Sequence, residues 1–114
     1  MVEHGRALSD VYAALGSDVR RAIMGRLARG EARVTDVAAP FGISLAAVSK
    51  HILVLERAGL IHRRIEGRTH WLALEPAPLV NAEAWIERTR SFWNERLDAL
   101  GELLGADDPR PRSQ

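Results

Sequence analysis

Between Ser44 and Thr69 the chain gathers side chains suited to one chemistry: hydrogen bonding and ion pairing to an anionic, base-bearing surface. Ser44, Ala46, Ala47, Ser49, Lys50 and His51 come first, and Arg63, Arg64, Arg68 and Thr69 follow. In the first group, Ala46 and Ala47 are small enough for a helix backbone to approach base edges, and either methyl can touch a thymine methyl. Lys50 can reach guanine acceptors or a phosphate. Ser44 and Ser49 can bond to either, and a helix N-terminus itself attracts a phosphate. The plainer alternatives are that Ser44 only caps a helix and that the two alanines only favour one. His51 lies at the flank of an inward stripe, as a phosphate donor or as a half-buried imidazole bonded to a neighbouring carbonyl.

The second group is a basic hairpin. Strand alternation sends Arg63 and Arg64 to opposite faces, so only one of them is expected to meet a nucleic acid. Arg68, at the turn with Thr69 beside it, is placed to enter a minor groove or grip its phosphates. A solvated basic hairpin is the alternative. Other chemistries find little support. A catalytic Ser49-Lys50-His51 set lacks an orienting carboxylate, and the chain has no phosphate-cradling loop and no carboxylate dyad, so no enzyme is expected. The absence of cysteine excludes disulfides and thiolate metal sites. Of the four histidines (His4, His51, His62, His70), only His62 and His70 are expected to approach each other, across the hairpin. Two ligands make a poor site, so neither metal nor cofactor is expected.

Charge is unevenly placed although the net value is only +1. From Ser44 to Leu74, Lys50, Arg57, Arg63, Arg64 and Arg68 face Glu56 and Glu66, five cations against two acids, or +3. From Asn81 to Asp108, seven acids face three arginines, or −4. An anionic partner is thus expected for the middle of the chain only. With 114 residues, 46% of them hydrophobic and 27% charged, the chain suits one globular domain. No apolar run suggests a membrane span, and the start MVEHGRALSD lacks a secretory pattern, which fits a cytoplasmic protein.

The elements that must position these groups are mostly helical. Residues 1–7 are expected to be a flexible start, 8–104 a single domain and 105–114 a disordered tail. Ser9 can cap a first helix ending at Gly16, with Val11, Tyr12 and Leu15 apolar. Ser17 caps a second, from about Asp18 to Arg29, with Val19, Ile23 and Leu27 at helical spacing and Gly30 after it. Ala32-Arg33-Val34 suffices only for a bridging strand. Thr35 begins a short third helix, and Phe41-Gly42-Ile43 forms a turn in which Phe41 and Ile43 plug the space between helices. Ser44 caps the fourth helix. Leu45, Val48, Ile52 and Leu55 form its inward stripe, and Gly59 ends it. Leu60–Glu66 and Thr69–Leu74 alternate as an antiparallel hairpin around Gly67-Arg68, with Ile61, Arg63 and Ile65 sharing one face of the first strand. After Glu75-Pro76-Ala77-Pro78, a last helix runs from about Leu79 to Leu104. The fold class is mainly α with a small β-hairpin (α+β).

That last helix carries Trp85, Ile86, Thr89, Phe92, Trp93, Leu97, Leu100 and Leu104 along a wide apolar face. One short chain cannot easily cover it, whereas two copies can; a ligand pocket lined by Trp85 and Trp93 is the alternative. Two-fold symmetry would set the reading helices ~34 Å apart, one duplex turn, and require a palindromic site.

The stretches VRRAIMGRLARG, VTDVAAPFGISLAAVSKHILVLERAGLI and HRRIEGRTHWLAL resemble the ArsR-type winged helix-turn-helix repressors of bacteria and archaea. The resemblance covers roughly residues 8–104. It implies a homodimer joined through the first and last helices, Tyr12 and Leu15 included, that represses transcription by occupying an operator in double-stranded DNA. Metal sensing does not carry over. The Cys-x-Cys of arsenic and cadmium sensors is replaced by Val34-Thr35-Asp36-Val37, and the last helix holds no histidine for a zinc or nickel site. Leu53 stands where many relatives have Lys or Arg, which favours a rival role as a protein-docking module. A small-molecule effector at the junction of the first and last helices, of unknown identity, would modify the repressor reading rather than replace it.

Overall fold

The computed structural model describes residues 2–105. Its elements are α1 (Val2–Ala14), α2 (Asp18–Leu27), β1 (Ala32–Arg33), α3 (Val34–Ala38), α4 (Leu45–Arg57), β2 (Ile61–Glu66), β3 (Thr69–Leu74) and α5 (Ala77–Leu104). The three strands form one antiparallel sheet in the order β1-β3-β2. Ala32 pairs with Leu72, and β2 pairs with β3 from Ile61–Leu74 to Glu66–Thr69. The chain folds as two units, residues 1–82 and residues from 83 onward.

Local signals fix most of the boundaries. Ser17 Oγ accepts a hydrogen bond from Arg20 N, and Ser44 Oγ accepts one from Ala47 N at 3.1 Å, so both serines satisfy donors that a helix leaves unpaired. Gly59 follows α4 with φ 77°, and Gly67 turns the hairpin with φ 62°, a region unfavourable for side-chain-bearing residues.

The core of the first unit is built from every element that it contains. Val11 and Ala14 of α1 meet Ile23, Met24 and Leu27 of α2, Val37 of α3, and Val48, Ile52 and Leu55 of α4, over a floor of Ala32, Leu60, Ile61 and Leu72. Ala82 closes it, and Tyr12 Oη donates to the Ala82 carbonyl. Each fully buried large side chain here, Ile52 or Leu72 for example, contributes about 1.5–3 kcal/mol through removal from water. In the second unit α5 continues to Leu104, and its apolar side chains lie in the open: Trp85, Ile86, Phe92, Trp93, Leu97, Leu100, Leu103 and Leu104 are all exposed.

Several boundaries differ from the sequence expectation. α1 starts at Val2, so Ser9 lies inside the helix rather than capping it, and residues 2–7 are helical backbone. The expected tail falls outside the described residues from 106 onward. α3 starts at Val34, one residue before Thr35, with Arg33 at the cap position and no side-chain cap bond. α5 begins at Ala77 and takes in Pro78, because a proline in the first turn sacrifices no helical hydrogen bond. The bridging strand forms as expected, as the two residues Ala32–Arg33 paired with β3, while Val34 joins α3.

Two apolar residues are corrected. Leu45 is 53% exposed rather than part of the inward stripe. Its angular position fits the stripe, but it is the first residue of α4, and its Cα–Cβ bond tilts toward the helix N-terminus, past the last layer of core. Ile43 is likewise exposed, whereas Phe41 does pack against the core.

Candidate nucleic-acid interface

α4 presents an uncluttered side at its N-terminal half. Val48, Ile52 and Leu55 anchor the opposite side in the core, leaving Ser44, Ala46 and Lys50 exposed and Ala47, Ser49 and His51 half-buried. Lys50 has no hydrogen-bond or ion-pair partner among the described residues.

Beside this helix lies a recess of about 310 Å³, lined by Arg33, Val34, Thr35, Leu45, Ser49, Arg63, Arg68, Thr69 and His70. It brings residues of α3, α4 and the hairpin onto one surface. Its cations are not equivalent. Arg33 is held by Asp36 at 3.0 Å. Arg63 is gripped through two nitrogens by Glu56, at 2.7 and 3.2 Å, and its Nη1 lies 2.9 Å from His70 Nδ1. Arg68 has no partner among the described residues, so its charge is available to an incoming anion.

Arg64 lies on the other face of the hairpin. It pairs with Glu31 at 2.9 Å and Glu66 at 3.3 Å, and its guanidinium sits 5.5 Å from the centre of the Trp71 ring. The hydrogen bond to the Glu31 carboxylate holds the Arg64 guanidinium above its ordinary value. Of the two alternating arginines, Arg63 is therefore the one that shares a surface with Ser49 and Arg68.

The histidines depart from expectation. His62 pairs across to Ala73 and His70 to Ile65, which puts the two rings on opposite faces of the hairpin, so they do not approach. His62 Nδ1 instead lies 2.6 Å from Glu75 Oε1. His51 is half-buried, but its partner is a guanidinium and not a carbonyl: Arg20 Nη1 stands 3.1 Å from His51 Nδ1. Among the described residues no three His, Cys, Asp or Glu side chains are grouped to hold a metal.

The sequence does not single out Arg20, Arg33 or Thr35 for this surface, and it offers His70 only as a metal ligand. Arg33 and Thr35 flank the start of α3, where Asp36 three residues after Arg33 is a usable signal. Arg20 is 31 residues from His51, and nothing local announces that contact.

The residues expected at an interface between copies divide in two. Tyr12 and Leu15 are half-buried against the core of their own chain, and Thr89 is half-buried too. Trp85, Ile86, Phe92, Trp93, Leu97, Leu100 and Leu104 are exposed, with Phe92 and Trp93 meeting edge to face at 5.8 Å. Near the expected effector position, a recess of about 160 Å³ is lined by Ala7, Leu8, Val11, Ala58, Ala77, Pro78 and Asn81. Among the described residues no helix is long and apolar enough to cross a membrane.

Comparison with known proteins places this chain among transcriptional regulators. A family described as a helix-turn-helix domain matches residues 15–64, which span α2 through the first four residues of β2. HTH-type transcriptional regulator Rv2034 of Mycobacterium tuberculosis is 31% identical over 102 residues, 90% of this chain and 92% of that protein. The transcriptional repressor SdpR of Bacillus subtilis is 27% identical over 79 residues, 69% of this chain and 88% of that protein. A crystal structure of an ArsR family transcriptional regulator superposes with a TM-score of 0.75 and 37% identity, covering 79% of this chain and 93% of that one. At the level of fold alone, the homodimeric winged helix-turn-helix domain Mb0332 of Mycobacterium bovis matches with a TM-score of 0.61 and 23% identity, covering 96% of this chain and 93% of that one.

Proposed function

This chain belongs to the ArsR family of winged helix-turn-helix transcriptional regulators, and from that premise we propose that it is a sequence-specific repressor acting as a homodimer on a palindromic operator. Its family is one of DNA-binding regulators, not of enzymes. One observation carries the reading: the N-terminal half of α4, through Leu45 and Ser49, lines the same open recess as Arg68, which has no partner among the described residues. α4 would lie in the major groove, with Ala46, Ala47 and Lys50 at base edges. Ser44, Ser49 and His51 would bond the flanking backbone, and Arg68 and Thr69 would bring the hairpin to the neighbouring phosphates or minor groove. Arg63 would serve this side and Arg64 would not.

The homodimer is supported by the exposed apolar side chains of α5 and by the Mycobacterium bovis relative, itself homodimeric. Repression of transcription is the role carried by the Bacillus subtilis relative's name. The rival protein-docking role draws on Leu53, which is 42% exposed on α4.

Selection from random duplex DNA with the purified chain tests the proposal. Enrichment of sites with two-fold symmetry is expected, and Lys50→Ala and Arg68→Ala should each weaken binding to them in a gel shift. Recovery of no duplex, or wild-type binding by both variants, would overturn it and leave protein docking as the better account.

A further inference from the structure

The interface carries two histidines in the same unusual setting. His51 Nδ1 faces Arg20 Nη1 at 3.1 Å, and His70 Nδ1 faces Arg63 Nη1 at 2.9 Å. A guanidinium has N–H donors and no acceptor. Each Nδ1 must therefore accept, which places the single ring proton of each neutral imidazole on Nε2. Both rings are thus held as one tautomer by a neighbouring cation, 31 residues away for His51 and across the hairpin for His70.

The two arginines are themselves fixed. Arg20 Nε donates to the Ala14 carbonyl at 2.6 Å and its Nη2 to the Ala13 carbonyl at 3.3 Å, so it closes off the last turn of α1. Arg63 is clamped by Glu56 through two nitrogens. Neither guanidinium can swing out toward a phosphate without breaking these bonds. What each can do is aim an imidazole.

The outer nitrogens are open. Among the described residues neither Nε2 has a partner, and the only buried side-chain nitrogen or oxygen lacking one is Trp71 Nε1. Both Nε2–H groups therefore reach solvent. His51 lies on α4 one residue after Lys50, and His70 lines the recess with Ser49 and Arg68.

We propose that His51 and His70 are a matched pair of preset Nε2–H donors to DNA phosphates, with Arg20 and Arg63 as the positioning residues that fix their tautomer. The inference rests on the DNA-binding reading above and adds His70 to its contacts. It also changes the role of Arg63, which acts through His70 rather than by touching DNA. Presetting matters because an imidazole free to choose its tautomer offers a donor at Nε2 only part of the time, and a fixed one is already organised for binding. His62 is the internal contrast: its Nδ1 lies 2.6 Å from a Glu75 carboxylate oxygen and must carry a proton.

Long-range proton–nitrogen NMR of the full chain reads the tautomers without DNA. His51 and His70 should show a bare Nδ1 and a protonated Nε2, and His62 a protonated Nδ1. Arg20→Met should release only His51, and Arg63→Met only His70, into a tautomer mixture. On a duplex selected with the wild-type chain, His70→Ala and His51→Ala should each weaken binding by roughly 3- to 10-fold per half-site. His70→Gln, which keeps an N–H near the place of Nε2, should recover most of that loss. Arg63→Met should cost less binding once His70 is Ala than it does in the wild-type chain, the remainder being the lost Glu56 clamp on the hairpin, as expected of a residue acting partly through another. A protonated Nδ1 at His51 or His70, or wild-type affinity in His70→Ala, would overturn the proposal while duplex binding by the wild-type chain kept the DNA reading intact. Failure of the wild-type chain to bind any duplex would overturn both.

Discussion

Glu56 on α4 holds Arg63 on β2 through two hydrogen bonds, at 2.7 and 3.2 Å, and so fastens the hairpin to the helix that carries Lys50. Both side chains are only about a quarter exposed, 26% and 22%, so the pair is less screened than a surface one. Removing one partner leaves the other partly desolvated and unmatched. Glu56→Gln should lower stability by about 1–2 kcal/mol in urea unfolding. It also frees the Arg63 charge for a phosphate. The slope of log affinity against log salt should then steepen by up to ~0.9 for each Arg63 that reaches one. An unchanged slope would mean that the Arg63 side of the hairpin is remote from the duplex backbone.

Ser44 has two candidate roles, and one substitution separates them. Its Oγ caps α4 through Ala47 N, and the residue is exposed where a phosphate is expected. Asp caps as well as Ser, so Ser44→Asp should keep the melting temperature, whereas Ser44→Ala should lose about 1 kcal/mol. A carboxylate beside a phosphate is repelled, so Ser44→Asp should bind operator at least tenfold more weakly than wild type in a filter or gel-shift assay. Equal binding by Ser44→Asp would leave Ser44 as a cap and nothing more.

The parts of this fold that could be read from sequence are those set by local rules. Ser17 and Ser44 cap the helices that their positions predict, and Val48, Ile52 and Leu55 face the core because their spacing puts them on one side of a helix. Strand alternation likewise separates Arg63 from Arg64. Leu45 departs from its predicted place because periodicity reports an angle around the helix and not a depth along it. Residue spacing also cannot show that Arg20 reaches His51, since that pairing exists only once α2 packs on α4. His70 escapes sequence reasoning for a related reason. Alternation groups it with Leu72 and Leu74, but only the register with β2 places it on the Arg63 face.

Arg68 is expected to act through charge more than through base recognition. It stands at the hairpin turn with no partner among the described residues to release before it meets a phosphate. Neutralising six or more phosphates should make wild-type affinity fall roughly 10³-fold between 50 and 200 mM salt. Arg68→Ala should weaken binding to selected and unselected duplexes alike and reduce the salt slope by ~1 for each phosphate that Arg68 neutralises. Lys50→Ala should instead narrow the gap between selected and unselected sites. Fluorescence anisotropy at three or four salt concentrations distinguishes them, and a purely specificity-altering Arg68→Ala would move Arg68 from the backbone to the bases.

The exposed side chains of α5 make the strongest demand for a second copy. Phe92, Trp93, Leu97 and Leu100 are each about half exposed or more, and Leu97, Leu100 and Leu104 continue the run toward the helix end. Isolated exposed hydrophobics are ordinary, but a row at helical spacing that includes aromatics is what an interface between two copies would bury. Trp93→Glu and Leu97→Glu should each put an unpaired carboxylate inside that surface and shift the chain to monomer in analytical ultracentrifugation at micromolar concentration. The core of residues 1–82 is complete without these side chains, so the helical far-UV signal should persist. Operator affinity should drop far more than either residue's distance from DNA would explain, because a single reading helix is left to bind a site built for two. A dimer that survives both substitutions would show that the copies meet elsewhere, and the spacing of the operator's half-sites would then have to be worked out afresh.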